Sequence, residues 1–227
     1  MTKLCILFLH HADDELTRYH AGIISKINPH AKIITLTFKA GIPGAICPIQ
    51  YPSGMNEWRN ADVLIYRWFQ SVHRVVAERY IIIEYDTLCT VPFEHFYKSV
   101  WDVPVAAAAL VNLIQQPDWY WFREIQDHSQ YQNKLAGMVP LSGILLSYSA
   151  LAAMSHLAQD ALYDSLYCEC RVGTLARATG YTSVEIRPDA TDYISWQPRY
   201  PDRPGIWHSV KSRVEIEHLN AGHSLTG

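Results

Sequence analysis

The 227-residue chain has no basic block. Its 19 Lys and Arg residues are scattered, and against 22 Asp and Glu they leave a formal net charge of −3. A nucleic-acid partner held by a cationic stripe is therefore not expected. Cysteine is sparse and unpaired in pattern. Cys5, Cys47, Cys89, Cys168 and Cys170 are odd in number and form no CxxC pair, which argues against a zinc knuckle and a disulfide framework. The Cys168-Glu169-Cys170 triplet lacks the second pair that a metal site needs. Long apolar runs are also missing. The run in "MTKLCILFLHH" gives way too early to polar residues for a signal peptide. "VPVAAAALVNLI" (103–114) is too short to span a bilayer and is interrupted by Asn112. No transmembrane segment is expected, and a cytoplasmic protein with reduced thiols is the simplest expectation. There is no internal repeat, low-complexity tract or linker composition. One domain over 1–227 is expected, with an irregular tail from about residue 189 completing it.

What is present is ordinary globular composition, 49% hydrophobic and 18% charged. "KLCILFLHH" (3–11) predicts a buried strand, "DDELTRYHAGIISKIN" (13–28) a helix and "AKIITLTF" (31–38) a second strand. That order implies a right-handed crossover and a parallel sheet. A long Gly- and Pro-rich loop fills 39–56, a length that points to function or mobility. The spacing of Trp58, Ala61, Leu64, Ile65 and Phe69 predicts a helix over 57–73. "RYIIIEY" (79–85) is a third strand. "VPFEHFYKSVW" predicts a short helix, "VPVAAAALV" either strand or helix, and 134–157 a strand, a turn and a helix. A helix over 162–180 and a strand over 182–188 follow. Alternating elements of this kind predict a doubly wound, mostly parallel α/β sheet. In such sheets ligands bind beyond the carboxyl ends of the strands.

The stretch "ERYIIIEYDTLCT" (78–90) then raises a question: a strand of three isoleucines ends in Glu84 and Asp86. Alternation puts these two carboxylates on one side, with Tyr85 opposed. Like charges this close share a proton or hold a cation. Hard oxygen ligands suit Mg²⁺ or Mn²⁺ bound to a diphosphate. The plain alternative is a solvated strand end whose acids cap the next helix.

Several pieces together resemble the GT-A class of nucleotide-diphospho-sugar glycosyltransferases: "ILFLHHADD", "WRNADVLIYRWFQS" directly before the acidic strand, "YIIIEYDTLCT" where the class carries its D-x-D motif, and "PGIWHSVK" like its late His motif. The resemblance implies a GT-A-like domain that transfers a sugar from a UDP- or GDP-sugar donor to an acceptor hydroxyl. It implies Mn²⁺ or Mg²⁺ held by Glu84, Asp86 and His208. Glu84 departs from the strict motif, and its longer side chain leaves Asp86 as the expected direct ligand. Lys211 would neutralise phosphate, with His10, His11, Asp62 and Tyr85 also placed at the nucleotide.

Other roles stay open. His10 and His11 equally fit a polar cap on the following helix. Arg59 is the alternative to Asp62. Ser142 and Gly143 are read as following a strand and opening a helix, either lining the sugar or making a plain turn. For an inverting transfer Glu169, between apolar flanks, is the candidate general base, its pKa raised by burial, whereas a retaining transfer needs no such base; pairing with Arg171 is the competing reading, and Asp164 a second candidate. Two other functions compete with this one. A nucleotidyltransferase needs a Gly-rich basic loop after the first strand, whereas "LHHADDELTR" is acidic. A non-catalytic carbohydrate- or protein-binding domain would use Trp119, Tyr120, Trp121 and Phe122 but not the strand-end acids.

Overall fold

The apolar runs of the sequence become the middle of one sheet. In a computed structural model, which describes residues 2–10, 15–49, 57–125, 127–131, 133–188, 190, 194 and 205–211, the chain opens with β1 (Thr2–His10), α1 (Glu15–Ile27), β2 (Lys32–Thr37) and the two-residue β3 (Ala45–Ile46). Helix α2 (Ala61–Gln70) leads into β4 (Ala77–Glu84), followed by β5 (Leu88–Cys89), α3 (Phe93–Phe96), β6 (Val105–Ala107) and β7 (Ala109–Asn112). Next come α4 (Tyr120–Arg123), β8 (Ala136–Val139), β9 (Ile144–Ser147), α5 (Tyr148–Leu157), α6 (Cys168–Ala178), β10 (Ser183–Glu185) and β11 (Ile206–Trp207).

Seven strands form the main sheet in the order β10-β6-β9-β4-β1-β2-β3. β1 lies between β2 and β4 and is parallel to both. β9 runs antiparallel to both of its neighbours, β4 and β6. The fold is therefore the expected mixed α/β type with a mostly parallel sheet. β9 is a departure from the sequence reading. Ser142 and Gly143 do not open a helix; they turn the chain into a central strand, and the helix starts only at Tyr148, capped by the Ser147 hydroxyl accepting from the Ala150 amide at 3.1 Å. A short apolar run next to a helix carries no period of its own, so strand and helix merged in the sequence.

Both faces of the sheet are covered, which is why β1 and β4 read as unbroken apolar runs. Odd residues of β1 (Cys5, Leu7, Leu9) and Tyr80 and Ile82 of β4 pack with α2, α5 and α6. Even residues (Leu4, Ile6, Phe8) and Ile81 and Ile83 pack with α1, α3 and the β5–β11 ribbon. Helix α1 turns Thr17, His20 and Ile24 inward, whereas Tyr19 is 41% exposed. Gly173 lets α6 lie against β8, since a Cβ there would come within 2.7 Å of the Ala136 backbone.

Candidate active site

Strand β4 stops where its acids begin. Glu84 is its last residue, and the Thr87 amide donates to the Glu84 carbonyl at 3.1 Å, closing a turn that carries Tyr85 and Asp86. Three neighbours fix this turn. Ser142 is fully buried, its hydroxyl accepting from the Glu84 amide at 3.2 Å and meeting the Thr87 hydroxyl at 2.7 Å. His20 Nδ1 donates to the Tyr85 carbonyl at 2.8 Å. The Val210 amide donates to the Asp86 carbonyl at 2.7 Å. Gly143, at φ +86°, holds a conformation that few side chains tolerate, and its amide reaches the Ile82 carbonyl at 2.7 Å. Ser142 is thus a brace under the site rather than a sugar-facing group.

The tail arrives by pairing. β11 runs antiparallel to β5, with Ile206 opposite Cys89 and Trp207 opposite Leu88. That register delivers His208 to the acids. Its Nε2 lies 3.2 Å from Glu84 Oε2 and 3.3 Å from Asp86 Oδ1. Lys211 Nζ lies 3.8 Å from Asp86 Oδ2. Burial disfavours the His208 cation, but the hydrogen bonds and charges of Asp86 and Glu84 outweigh it and raise the imidazole to about 10. Asp86 feels burial upward too, yet His208 and Lys211 hold its carboxyl below the ordinary value. The two carboxylates are therefore joined by one positive group.

These residues line a cavity of about 390 Å³ together with Glu57, Trp58, Tyr85, Leu141, Tyr167, Cys168, Glu169 and Ser209. Glu169 stands in the first turn of α6. Burial, then the charge of Glu84, pushes its carboxyl up to about 8, partly opposed by hydrogen bonds from Leu141 and Trp121 and by His208. Its Oε2 has no hydrogen-bond partner among the described residues. The competing pairing with Arg171 does not occur. Arg171 instead donates to Asp62 Oδ1 at 2.6 Å, Asn60 Oδ1 at 2.9 Å and the carbonyls of Tyr163 (2.9 Å), Asp164 (3.2 Å) and Leu166.

Asp62 accordingly moves from the nucleotide to the scaffold. It is fully buried, outside the cavity, and burial, partly offset by Arg171, raises its carboxyl to about 6. A helical period cannot tell an inward acid with a partner from an acid facing a ligand. Arg59 is engaged by Glu124 at 2.7 Å, and Asp164 is an exposed residue away from the cavity. His10 is buried at the end of β1, one strand from Glu84, and does not line the cavity. His11 lies outside the described residues, as do residues 50–56 of the long loop; within the described part, Ala45–Ile46 is pinned to β2 as β3. His20 was missed in the sequence. Its signal was a histidine among apolar positions of α1.

No protein-family model matches the chain, and no curated protein matches it. Solved structures similar to it include the galactosyltransferase LgtC in complex with donor and acceptor sugar analogs, at 13% identity and a TM-score of 0.48, covering 98% of this chain and 96% of that one. They also include the glycosyltransferase GlyE of Streptococcus pneumoniae TIGR4, at 13% identity and a TM-score of 0.48, and its apo form, at 14% and 0.44. The chain spans 61% of the length of GlyE.

Whether a divalent ion suits the site is decided by its donors. Among the described residues no three acid, His or Cys side chains already stand as a metal cage. The imidazole Nε2 of His208 nevertheless points at two carboxylate oxygens, and the charge already bridging them is a proton's. Two oxygens and one nitrogen are a fitting set for Mn²⁺, with a proton as the group displaced. No helix among the described residues is long and apolar enough to cross a membrane.

Proposed function

We propose that the chain transfers a glycosyl group from a nucleotide-diphosphate sugar to an acceptor hydroxyl. One observation carries this reading: Glu84, Asp86, His208 and Lys211 converge with an unsatisfied buried carboxyl, Glu169, in a single cavity at the carboxyl end of β4. Phosphate chemistry needs positive charge set on acidic anchors, and an inverting sugar transfer needs a group that removes a proton.

The roles follow from position. Lys211, at the cavity rim, meets the diphosphate as a point charge. Glu84, Asp86 and His208 are the residues that would hold Mn²⁺ or Mg²⁺, which when bound supplies Lewis-acid stabilisation of the departing charge. Tyr85 lines the same cavity beside the acids and is assigned to the donor. Glu169, as carboxylate, takes the proton of the acceptor hydroxyl. The acceptor oxygen forms a bond to the anomeric carbon. The bond from that carbon to the diphosphate oxygen breaks, and the nucleoside diphosphate leaves with the electron pair. A carboxyl near 8 is poised to give and take a proton close to neutral pH.

The test is thermal melting with UDP or GDP, each with and without Mn²⁺. The proposal expects stabilisation by a nucleoside diphosphate that grows when Mn²⁺ is present. Indifference to every nucleotide and to the metal contradicts it and favours a saccharide- or protein-binding domain.

A further inference from the structure

The acids and cations account for one side of the cavity and leave its other side unexplained. That side is aromatic. Trp58 lines the cavity yet is 47% exposed. An indole left this open forgoes much of the burial that a large aromatic can gain. It is not loosely held. Its ring stands edge-on to Tyr167, with centroids 5.0 Å apart at 68°, and to Trp121, at 5.8 Å and 63°. Trp121 lies flat on Tyr167, at 3.6 Å and 9°. The Cys168 thiol donates to the Trp58 carbonyl at 3.4 Å, and the Arg59–Glu124 pair ties the Trp58 segment to that of Trp121 at 2.7 Å. The exposed indole is thus fixed in place by neighbours it does not hide behind.

Charge decides what such a platform can receive. Glu57, Glu84 and Glu169 line the same cavity, and the two cationic groups, His208 and Lys211, sit with Asp86. A phosphate is drawn toward Lys211 and disfavoured beside the aromatic side. A neutral ring with C–H groups on its face and hydroxyls on its edge suits an indole flanked by carboxyl acceptors. The link to the chemistry is direct, because Glu169, the candidate base, lines the same cavity as Trp58.

We infer that Trp58, backed by Trp121 and Tyr167, is the stacking platform for a pyranose ring of the acceptor, with Glu57 and Glu169 accepting its hydroxyl hydrogens. The acceptor class is therefore a saccharide. This rests on the transfer reading of the same cavity.

The test is saturation-transfer NMR with methyl β-D-galactopyranoside, methyl β-D-glucopyranoside and lactose, with glycerol as the non-stacking control. Wild type, Trp58→Phe and Trp58→Ala are compared, and the melting shift with UDP or GDP plus Mn²⁺ is read on the same proteins. At least one pyranoside should receive saturation on its ring C–H protons from wild type, and glycerol none. Trp58→Ala should weaken that binding about five- to tenfold, and Trp58→Phe less, in keeping with a stacking contact. The nucleotide shift should be equal in all three proteins, which also confirms that the variants are folded. Pyranoside binding unchanged in Trp58→Ala, or absent from wild type, overturns the inference while leaving transfer intact if nucleotides still stabilise the protein. Loss of the nucleotide shift in Trp58→Ala with pyranoside binding intact assigns the platform to the nucleobase and also overturns it. Stacking lost in Trp58→Ala when no nucleotide stabilises wild type upholds the platform and sinks the transfer reading.

Discussion

Two buried groupings of acid and base lie near each other in this chain, and they differ in what surrounds them. Asp62 and Arg171 meet at 2.6 Å, with side chains 0% and 3% exposed, and the guanidinium also serves four other oxygens of the fold. Glu84, Asp86 and His208 meet at 3.2 and 3.3 Å but open onto a cavity that Glu169 also lines. Arginine engaged through all three of its nitrogens is a fastener. A bridging imidazole can hand its place to another cation. The first grouping fixes the segment before α2 against the N-terminal end of α6, and so positions Trp58 and Glu169; the second is where a ligand has something to do.

Asp86→Asn should show the largest effect at the open site. Sugar transfer is expected to fall by about 10²–10³-fold, the usual cost of removing one charged contact where charge develops, with melting temperature near wild type. Substantial turnover in this variant would remove Asp86 from the machinery. At the closed site the sign reverses: stability, not chemistry, should suffer. Arg171→Met strands Asp62 and should cost about 3–5 kcal/mol in denaturant unfolding. The double variant Asp62→Leu, Arg171→Met should recover much of that loss. Equal damage in single and double variants would mean that the pair is not what the segment depends on.

Glu169 sharpens the contrast through pH. Its carboxyl titrates at 4.5 when unfolded and at about 8 when folded. The folded protein binds the extra proton between those values, so this group's contribution to stability falls as pH rises from about 4.5 through 8. Glu169→Gln should therefore melt above wild type at pH 8.5 in EDTA, by roughly 1–3 kcal/mol, and match it near pH 4.5, while losing transfer activity. Parallel pH–stability curves would place Glu169 in water. The smallest effect is expected from Ser142→Ala, about 1 kcal/mol for a lost buried hydroxyl bond, together with weaker nucleotide binding because the acidic turn loses its brace.

How much of this was legible beforehand varies residue by residue. The isoleucine run and its acidic end were readable because a strand covered on both faces must be apolar until it emerges. The pairing of β11 with β5 was not, since nothing in "PGIWHSVK" announces an antiparallel partner more than 100 residues away; only the class resemblance singled out His208. Asp62 was misplaced because helical spacing gives the face and not the partner. The Ser142 brace and the buried His20 depend on contacts between distant segments, which no local pattern contains. Trp121 was visible as one of a crowd of aromatics, but its flat contact with Tyr167 and its edge contact with Trp58 belong to the folded chain alone.

The most direct measurement is a crystal structure grown with Mn²⁺ and UDP or GDP. The account predicts a cation bound by Asp86 and His208 with Glu84 alongside, and the diphosphate between that cation and Lys211. The His208 ring still hydrogen-bonded to both carboxylates, with nucleotide bound elsewhere or not at all, would contradict it.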